Sequence, residues 1–443
     1  MCFLGRCLMA MAWLTLPMSV GAQTMEERVT FSLEQWDGQY AVGEEVSIWA
    51  DVPQAFEAVQ EVWINGLCTS SEQVVVKAGK YAILTRRDME PTSVMLRLRH
   101  PDPKQKRDFT DVGYCVGMEQ FRPGFQKPHD FYDWWMSQVE QLRELPIEAV
   151  VREVKVPAKY ADKYICYDLE VNCGEGGAPV RGYLAMPRGA APKSLPICLF
   201  AHGAGVRGAS NRSRIEVALR YARQGGGAIA LDLNAHGMKN GQPQSYYDQL
   251  DKGPLKGYKD WPIENREDYY FRGMYLRIQR ALDYLCSREE WDGERVLVIG
   301  GSQGGAQAAA LCGLDKRVTH AVIREPGMMD LGGSLVGRKS GPPWLTEEHG
   351  VTEAFMRWAP YFDMAFMLEH SHAKLLFECG WVDMSCTPSS ILAGYNVARG
   401  EKTIYTYPFR PHYSPRGKYR VEWDRLVNKR YSEFIQEALK KRP

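Results

Sequence analysis

Between about Glu26 and Gly117 the chain alternates apolar and polar positions with a period of two, as at Val46, Ile48 and Ala50 and again at Val94, Leu96 and Leu98. Such alternation, interrupted by turn residues, predicts half-buried strands forming a small Ig-like β-sandwich over residues 23–118. Near Phe121 the pattern changes: Phe131, Trp134, Trp135, Val139 and Leu142 recur at helical spacing and predict an amphipathic helix over 130–145. Beyond it, unbroken apolar runs predict strands at 196–201, 228–232, 296–299, 318–323, 374–379 and 403–407, separated by helical stretches. Runs lacking alternation read as strands covered on both faces. Their alternation with helices predicts a mostly parallel sheet in a second, α/β domain over 119–443.

In sheets of that kind the chemistry collects beyond the carboxyl ends of the strands. One such end carries Gly300-Gly301-Ser302-Gln303-Gly304, placed between the run Val296-Leu297-Val298-Ile299 and an alanine-rich helical pattern at 306–311. Strand, G-x-S-x-G and helix together form the context of a nucleophile elbow, where a serine occupies a strained turn and glycines stand where side chains would collide. Ser302 is therefore the candidate nucleophile. A dinucleotide-binding loop is rejected, because the spacing is not G-x-G-x-x-G and no suitable acidic residue follows about 20 residues on.

A serine hydroxyl needs a base to take its proton and a carboxylate to orient that base. Asp383 follows the strand at 374–379, and His412 follows the last strand. The order Ser302, Asp383, His412 is that of an α/β-hydrolase. Asp383 has a competing reading as a cap for the helix beginning near Pro388. Among the nine histidines, only His412 combines the required order with the required strand end. Its imidazole is expected to titrate near the ordinary value of about 6.5. The developing oxyanion needs two fixed donors, for which the amides of Gln303 and of Ala204, in the loop His202-Gly203-Ala204-Gly205, are the candidates. His370-Ser371-His372 lacks a third ligand at short spacing, and His320 sits inside an apolar run, so no metal and no cofactor is expected.

Composition narrows the setting. With 55 basic and 54 acidic side chains in 443 residues the formal net charge is +1, which gives no field favouring nucleic acid or an anionic membrane. Arg6, the apolar stretch 8–20 and the small residues Gly21 and Ala22 read as a secretory signal over 1–22, with no later apolar run long enough to span a membrane. The mature chain is expected to be exported, periplasmic or extracellular. Of 11 cysteines, nine lie beyond the signal, mostly in apolar surroundings. Cys68 and Cys115 form a pair that an oxidising compartment would allow to bridge, with connectivity left open. Trp36 and Trp63 read more readily as sandwich core than as sugar-stacking platforms. The segments 238–270 and 331–350 are long enough to wall a pocket or to pack on the sandwich.

Residues 119–435 resemble the acetyl xylan esterase and cephalosporin C deacetylase family of α/β-hydrolases. The segments that carry the resemblance are Phe200-Ala201-His202-Gly203, Gly300-Gly301-Ser302-Gln303-Gly304-Gly305, and the block from Tyr361-Phe362-Asp363 through Gly380, Asp383, Pro388-Ser389-Ser390, Tyr395-Asn396 and Tyr407-Pro408 to His412. The resemblance implies a cofactor-free serine esterase that removes acetyl groups from acetylated sugars or xylo-oligosaccharides, with Ser302 as nucleophile, Asp383 as acid and His412 as base. Two departures bear on specificity: Ala204 stands where the family usually has tyrosine, and Asn234-Ala235-His236 where it has Arg-Gly-Gln. Triad chemistry alone does not separate ester from amide hydrolysis, so a serine peptidase and a catalytically silent carbohydrate-binding homologue stand as alternatives. The assembly is left open.

Overall fold

The computed structural model describes residues 23–174, 177–260, 265–415 and 417–440, so the proposed signal lies outside the described residues. Among the described residues, eight strands precede residue 118: β1 Thr30–Ser32, β2 Gln39–Tyr40, β3 Glu45–Val52, β4 Phe56–Ile64, β5 Leu67–Val76, β6 Gly79–Arg87, β7 Thr92–Arg99 and β8 Phe109–Val116. They form a three-stranded sheet ordered β1-β3-β6 and a five-stranded sheet ordered β2-β8-β7-β4-β5. Val46, Ile48 and Ala50 from the first sheet share one buried cluster with Val94, Leu96 and Leu98 from the second. Alternate residues of a strand point to one face, and burying those faces against each other is what the period-two pattern encodes.

The helix predicted over 130–145 occupies Phe131–Glu144, with Trp135 fully enclosed and its indole donating to the Tyr361 carbonyl at 2.8 Å. Nine further strands follow among the described residues: β9 Ala149–Glu153, β10 Tyr164–Val171, β11 Val180–Pro187, β12 Leu195–Ala201, β13 Ile229–Leu233, β14 Trp291–Gly301, β15 His320–Arg324, β16 Lys374–Gly380 and β17 Lys402–Tyr407. They make one sheet ordered β17-β16-β15-β14-β12-β13-β11-β10-β9. β12 to β17 pair in parallel, whereas β9, β10 and β11 close one edge antiparallel. Two apolar cores cover the two faces. Ile197 and Leu199 belong to one, and Cys198 to the other, which packs the helices Ile215–Ala222 and Lys429–Leu439.

The amino-terminal sheets sit directly against the ends of β16 and β17. Gly113 donates its amide to the Pro408 carbonyl at 2.9 Å, and a Cβ at Gly113 would lie 2.6 Å from the Trp381 carbonyl oxygen. No side chain fits there. The Trp381 indole donates to the Asp37 carbonyl at 2.6 Å, and Thr406 Oγ1 to the same carbonyl at 3.0 Å.

Two expectations need correction. Cys68 and Cys115 are free thiols, because β5 and β8 are separated by β7 and β4. Three strand spacings amount to about 14 Å, far beyond the reach of a disulfide. Trp36 is 55% exposed and is not core, while Trp63 is half-buried. Among the described residues no helix is long and apolar enough to cross a membrane.

Candidate active site

The turn that ends β14 is forced by its glycines. A Cβ on Gly300 would overlap the Gly304 carbonyl, and one on Gly304 would overlap the Ala201 carbonyl of β12. With those positions vacant the chain turns abruptly, leaving Ser302 at φ 56° and ψ −124° and starting the helix Gln303–Leu314 immediately after it. A serine at positive φ is costly on its own, by about 1–3 kcal/mol, and persists only where its surroundings hold it. Here they do: Ser302 donates its amide to the Arg324 carbonyl at 2.9 Å and accepts from Gly327 at 2.9 Å and Ala306 at 3.1 Å.

Two loops bring the other groups to it. Asp383, on the loop after β16, is buried, and its Oδ1 accepts from the amides of Ser385 at 2.8 Å and Cys386 at 2.9 Å. Those bonds fix the carboxylate within its own loop. The helix Pro388–Val397 has Thr387 at its cap position instead, so Asp383 does not perform the capping role that competed for it. Asp383 Oδ2 lies 2.8 Å from His412 Nδ1, and His412 Nε2 lies 3.1 Å from Ser302 Oγ. A carboxylate facing Nδ1 assigns the ring proton to that nitrogen and leaves Nε2 as the acceptor toward the serine hydroxyl.

The imidazole differs from the sequence expectation of an unperturbed group. Burial disfavours its charged form, yet the hydrogen bond and charge of Asp383, reinforced by the charge of Glu325, outweigh burial and the nearby Arg410. His412 therefore titrates above its ordinary value. Behind it, Arg410 reaches two buried carboxylates, contacting Glu325 closely and Glu378 at 3.2 Å. Burial pushes the Glu325 carboxyl up to about 7 against the pull of Arg410. This trio was not found by sequence reasoning. The one local signal is charge at or within the ends of apolar runs, Arg324-Glu325 after Ile323 and Glu378 between Phe377 and Cys379.

Gln303 and Ala204 border the same cleft as Ser302 and His412, a space of about 240 Å³ also walled by Met328, Pro342 and Trp344. As the first residue of its helix, Gln303 carries an amide with no partner inside that helix. The loop bearing Ala204 is fastened twice: Asn211 Nδ2 donates to the Ala204 carbonyl at 2.6 Å, and His202 Nε2 stands 2.6 Å from the fully buried Asp232. The Gln303 side chain accepts from Tyr258 Oη at 2.6 Å. Beside Tyr258 lies His236, 2.6 Å from Tyr270 Oη and pushed down to about 3 by burial and by the charge of Arg277. Of the two long segments, 238–270 supplies Lys259 to the cleft and 331–350 supplies Pro342, Pro343 and Trp344. Lys339 of the latter also donates its amide to the Asn65 carbonyl at 3.0 Å, so that segment both walls the cleft and packs on the amino-terminal sheets. His370 stacks on Tyr132 with ring centroids 4.0 Å apart.

Residues 116–423 match the acetyl xylan esterase (AXE1) family. Among characterised proteins, the acetyl esterase Axe7A of Xylanibacter ruminicola is 26% identical over 388 residues, covering 85% of each chain. Among solved structures, the acetyl xylan esterase from Paenibacillus sp. R4 superposes with a TM-score of 0.58 at 28% identity, covering 71% of this chain and 98% of the other. Acetyl xylan esterase 1 from Thermoanaerobacterium sp. JW/SL YS485 shares the fold with a TM-score of 0.57 at 21% identity, over 72% of this chain and 97% of the other. A mixed, mostly parallel sheet, a serine on a strained strand-to-helix turn and the family match over most of the chain lead to one assignment. The chain belongs to the acetyl xylan esterase (AXE1) family, and it is a carboxylic ester hydrolase of the α/β-hydrolase fold.

Proposed function

We propose that this protein is an exported acetylesterase that releases acetate from acetylated sugars or xylo-oligosaccharides through a Ser302–His412–Asp383 triad. The observation that carries the reading is His412 bridging Asp383 at 2.8 Å and Ser302 at 3.1 Å on the wall of a cleft. In the first step His412 Nε2 takes the Ser302 proton as Oγ attacks the ester carbonyl. Asp383 stabilises the imidazolium, and the amides of Gln303 and Ala204 receive the oxyanion. The tetrahedral species collapses as the alcohol leaves with the proton from His412. Water, deprotonated by the same nitrogen, then attacks the acyl-enzyme and frees acetate and Ser302.

Export rests on the charged, apolar and small-residue succession of positions 1–22. The two sheets before residue 118, with their shared core, support reading 23–118 as an Ig-like β-sandwich unit and 119–443 as the catalytic unit. The test is a panel of acetylated sugars set against longer acyl esters of the same sugars and against peptide substrates. Preference for the acetyl sugars is expected, and faster turnover of peptides or long acyl esters would overturn it.

A further inference from the structure

The acyl half of an ester and its alcohol half must leave the reacting carbon in different directions, and the chemistry dictates which way the alcohol goes. Its oxygen has to receive a proton from His412 Nε2, so the alcohol lies over His412. A second cleft of about 270 Å³ begins on that side, sharing Ser385, His412 and Tyr413 with the first. Its far wall belongs to the amino-terminal sheets.

We propose that this second cleft is the binding subsite for the alcohol portion of the substrate, a neutral saccharide chain, and that β7 and β8 thereby take a direct part in specificity. The proposal rests on the esterase reading above. Three features select the ligand. Arg97 and Asp111 form a bidentate pair at 2.7 and 2.9 Å, which holds a rigid, polar and internally neutralised group on the cleft wall, suited to an uncharged polar ligand. Phe109, one ring face covered by the Arg97 guanidinium at 4.2 Å, and the exposed Tyr413, its ring 5.2 Å from that of His412, line the cleft with aromatic surface on which the C–H faces of sugar rings pack. The charges lining the cleft include both signs, with Glu26 and Asp111 against Arg97, which discourages a polyanionic alcohol. A small aryl ester needs only the Ser302 cleft, whereas an oligosaccharide acetate needs both.

The test compares kcat/KM for acetylated xylotetraose and for p-nitrophenyl acetate in the full chain, in Phe109→Ala, and in Ser414→Trp, which fills the cleft from an exposed position. The ratio of oligosaccharide to aryl ester turnover is expected to fall about tenfold in both variants, the size of one lost aromatic anchor. Because Ser414 is exposed, the second variant keeps its fold even if the first is damaged. A parent chain that hydrolyses both esters, with a ratio in Ser414→Trp that changes less than about twofold, overturns the subsite and leaves the sugar acetylesterase reading standing. A parent chain that hydrolyses the aryl ester and ignores the sugar acetate overturns both.

Discussion

The Asp383 carboxylate is fully enclosed, and its one oxygen not bound to its own loop faces His412 Nδ1 at 2.8 Å. Because that contact raises the His412 titration point, and the base must be neutral to act, kcat/KM should rise with pH through a midpoint above about 6.5. In Asp383→Asn the raising hydrogen bond and charge are gone while burial remains, so the midpoint should move down. Turnover should drop by about 10⁴-fold, as when the carboxylate of a comparable triad is made an amide. Rate profiles between pH 5 and 9 check both. An unchanged midpoint in the variant would show that Asp383 does not tune the imidazole.

Ser302→Ala removes the only atom expected to become acylated. Turnover of p-nitrophenyl acetate should fall by about 10⁶-fold, the loss measured for a comparable serine triad. Labelling by a fluorophosphonate should vanish with it, while circular dichroism stays that of the parent. Retained hydrolysis in this variant is the outcome that defeats the assignment.

Gly304→Ala probes the turn rather than the chemistry. Its added methyl would meet the Ala201 carbonyl of β12, which is backbone in the middle of the sheet and cannot swing aside. Overpacking of this kind costs about 1–3 kcal/mol, and a displacement of about 1 Å at Ser302 is enough to lose about 100-fold in rate. Thermal melting and aryl acetate turnover should both decline. A variant with parental activity would mean that the turn is softer than described.

Arg410→Met leaves Glu325 and Glu378 buried without their shared cation, a change expected to cost about 3–5 kcal/mol. The cost should depend on pH. Glu325 already holds its proton up to about 7 when folded, whereas an unfolded carboxyl releases it near 4.3, so the folded state binds more protons between those values and stability declines as pH rises. Losing Arg410 pushes the folded carboxyl higher and steepens that decline. Urea midpoints at pH 5 and pH 8 measure it, and a smaller loss at pH 8 than at pH 5 would refute the account.

Much of this was legible in the sequence because its signals are local. Ser302 sits in a contiguous strand–glycine–helix string, and Asp383 and His412 follow apolar runs whose ends lie within a residue or two of the observed strands. What escaped detection depends on contacts between distant segments. β9, with all five of its residues exposed, carries no burial pattern to read. The Arg410, Glu325 and Glu378 group joins three strand ends, and no spacing along the chain announces it. The positive shift of His412 escaped as well, since it is a balance in which the hydrogen bond and charge of Asp383, reinforced by Glu325, outweigh burial, and only the folded contacts set that balance. Cys68 and Cys115 fall in one region of the sequence but on strands held apart by two others, which only the order of the sheet reveals.

The absence of any side chain at Gly113 has a consequence for how the molecule fails. Backbone meets backbone there, with the Gly113 amide held by Pro408, four residues ahead of His412, and Trp381 lying two residues before Asp383. Heat that loosens the amino-terminal sheets therefore pulls on both catalytic loops at once. Inactivation and melting should then coincide in one cooperative event, and the carboxy-terminal portion expressed by itself should be a weak catalyst even where it remains compact.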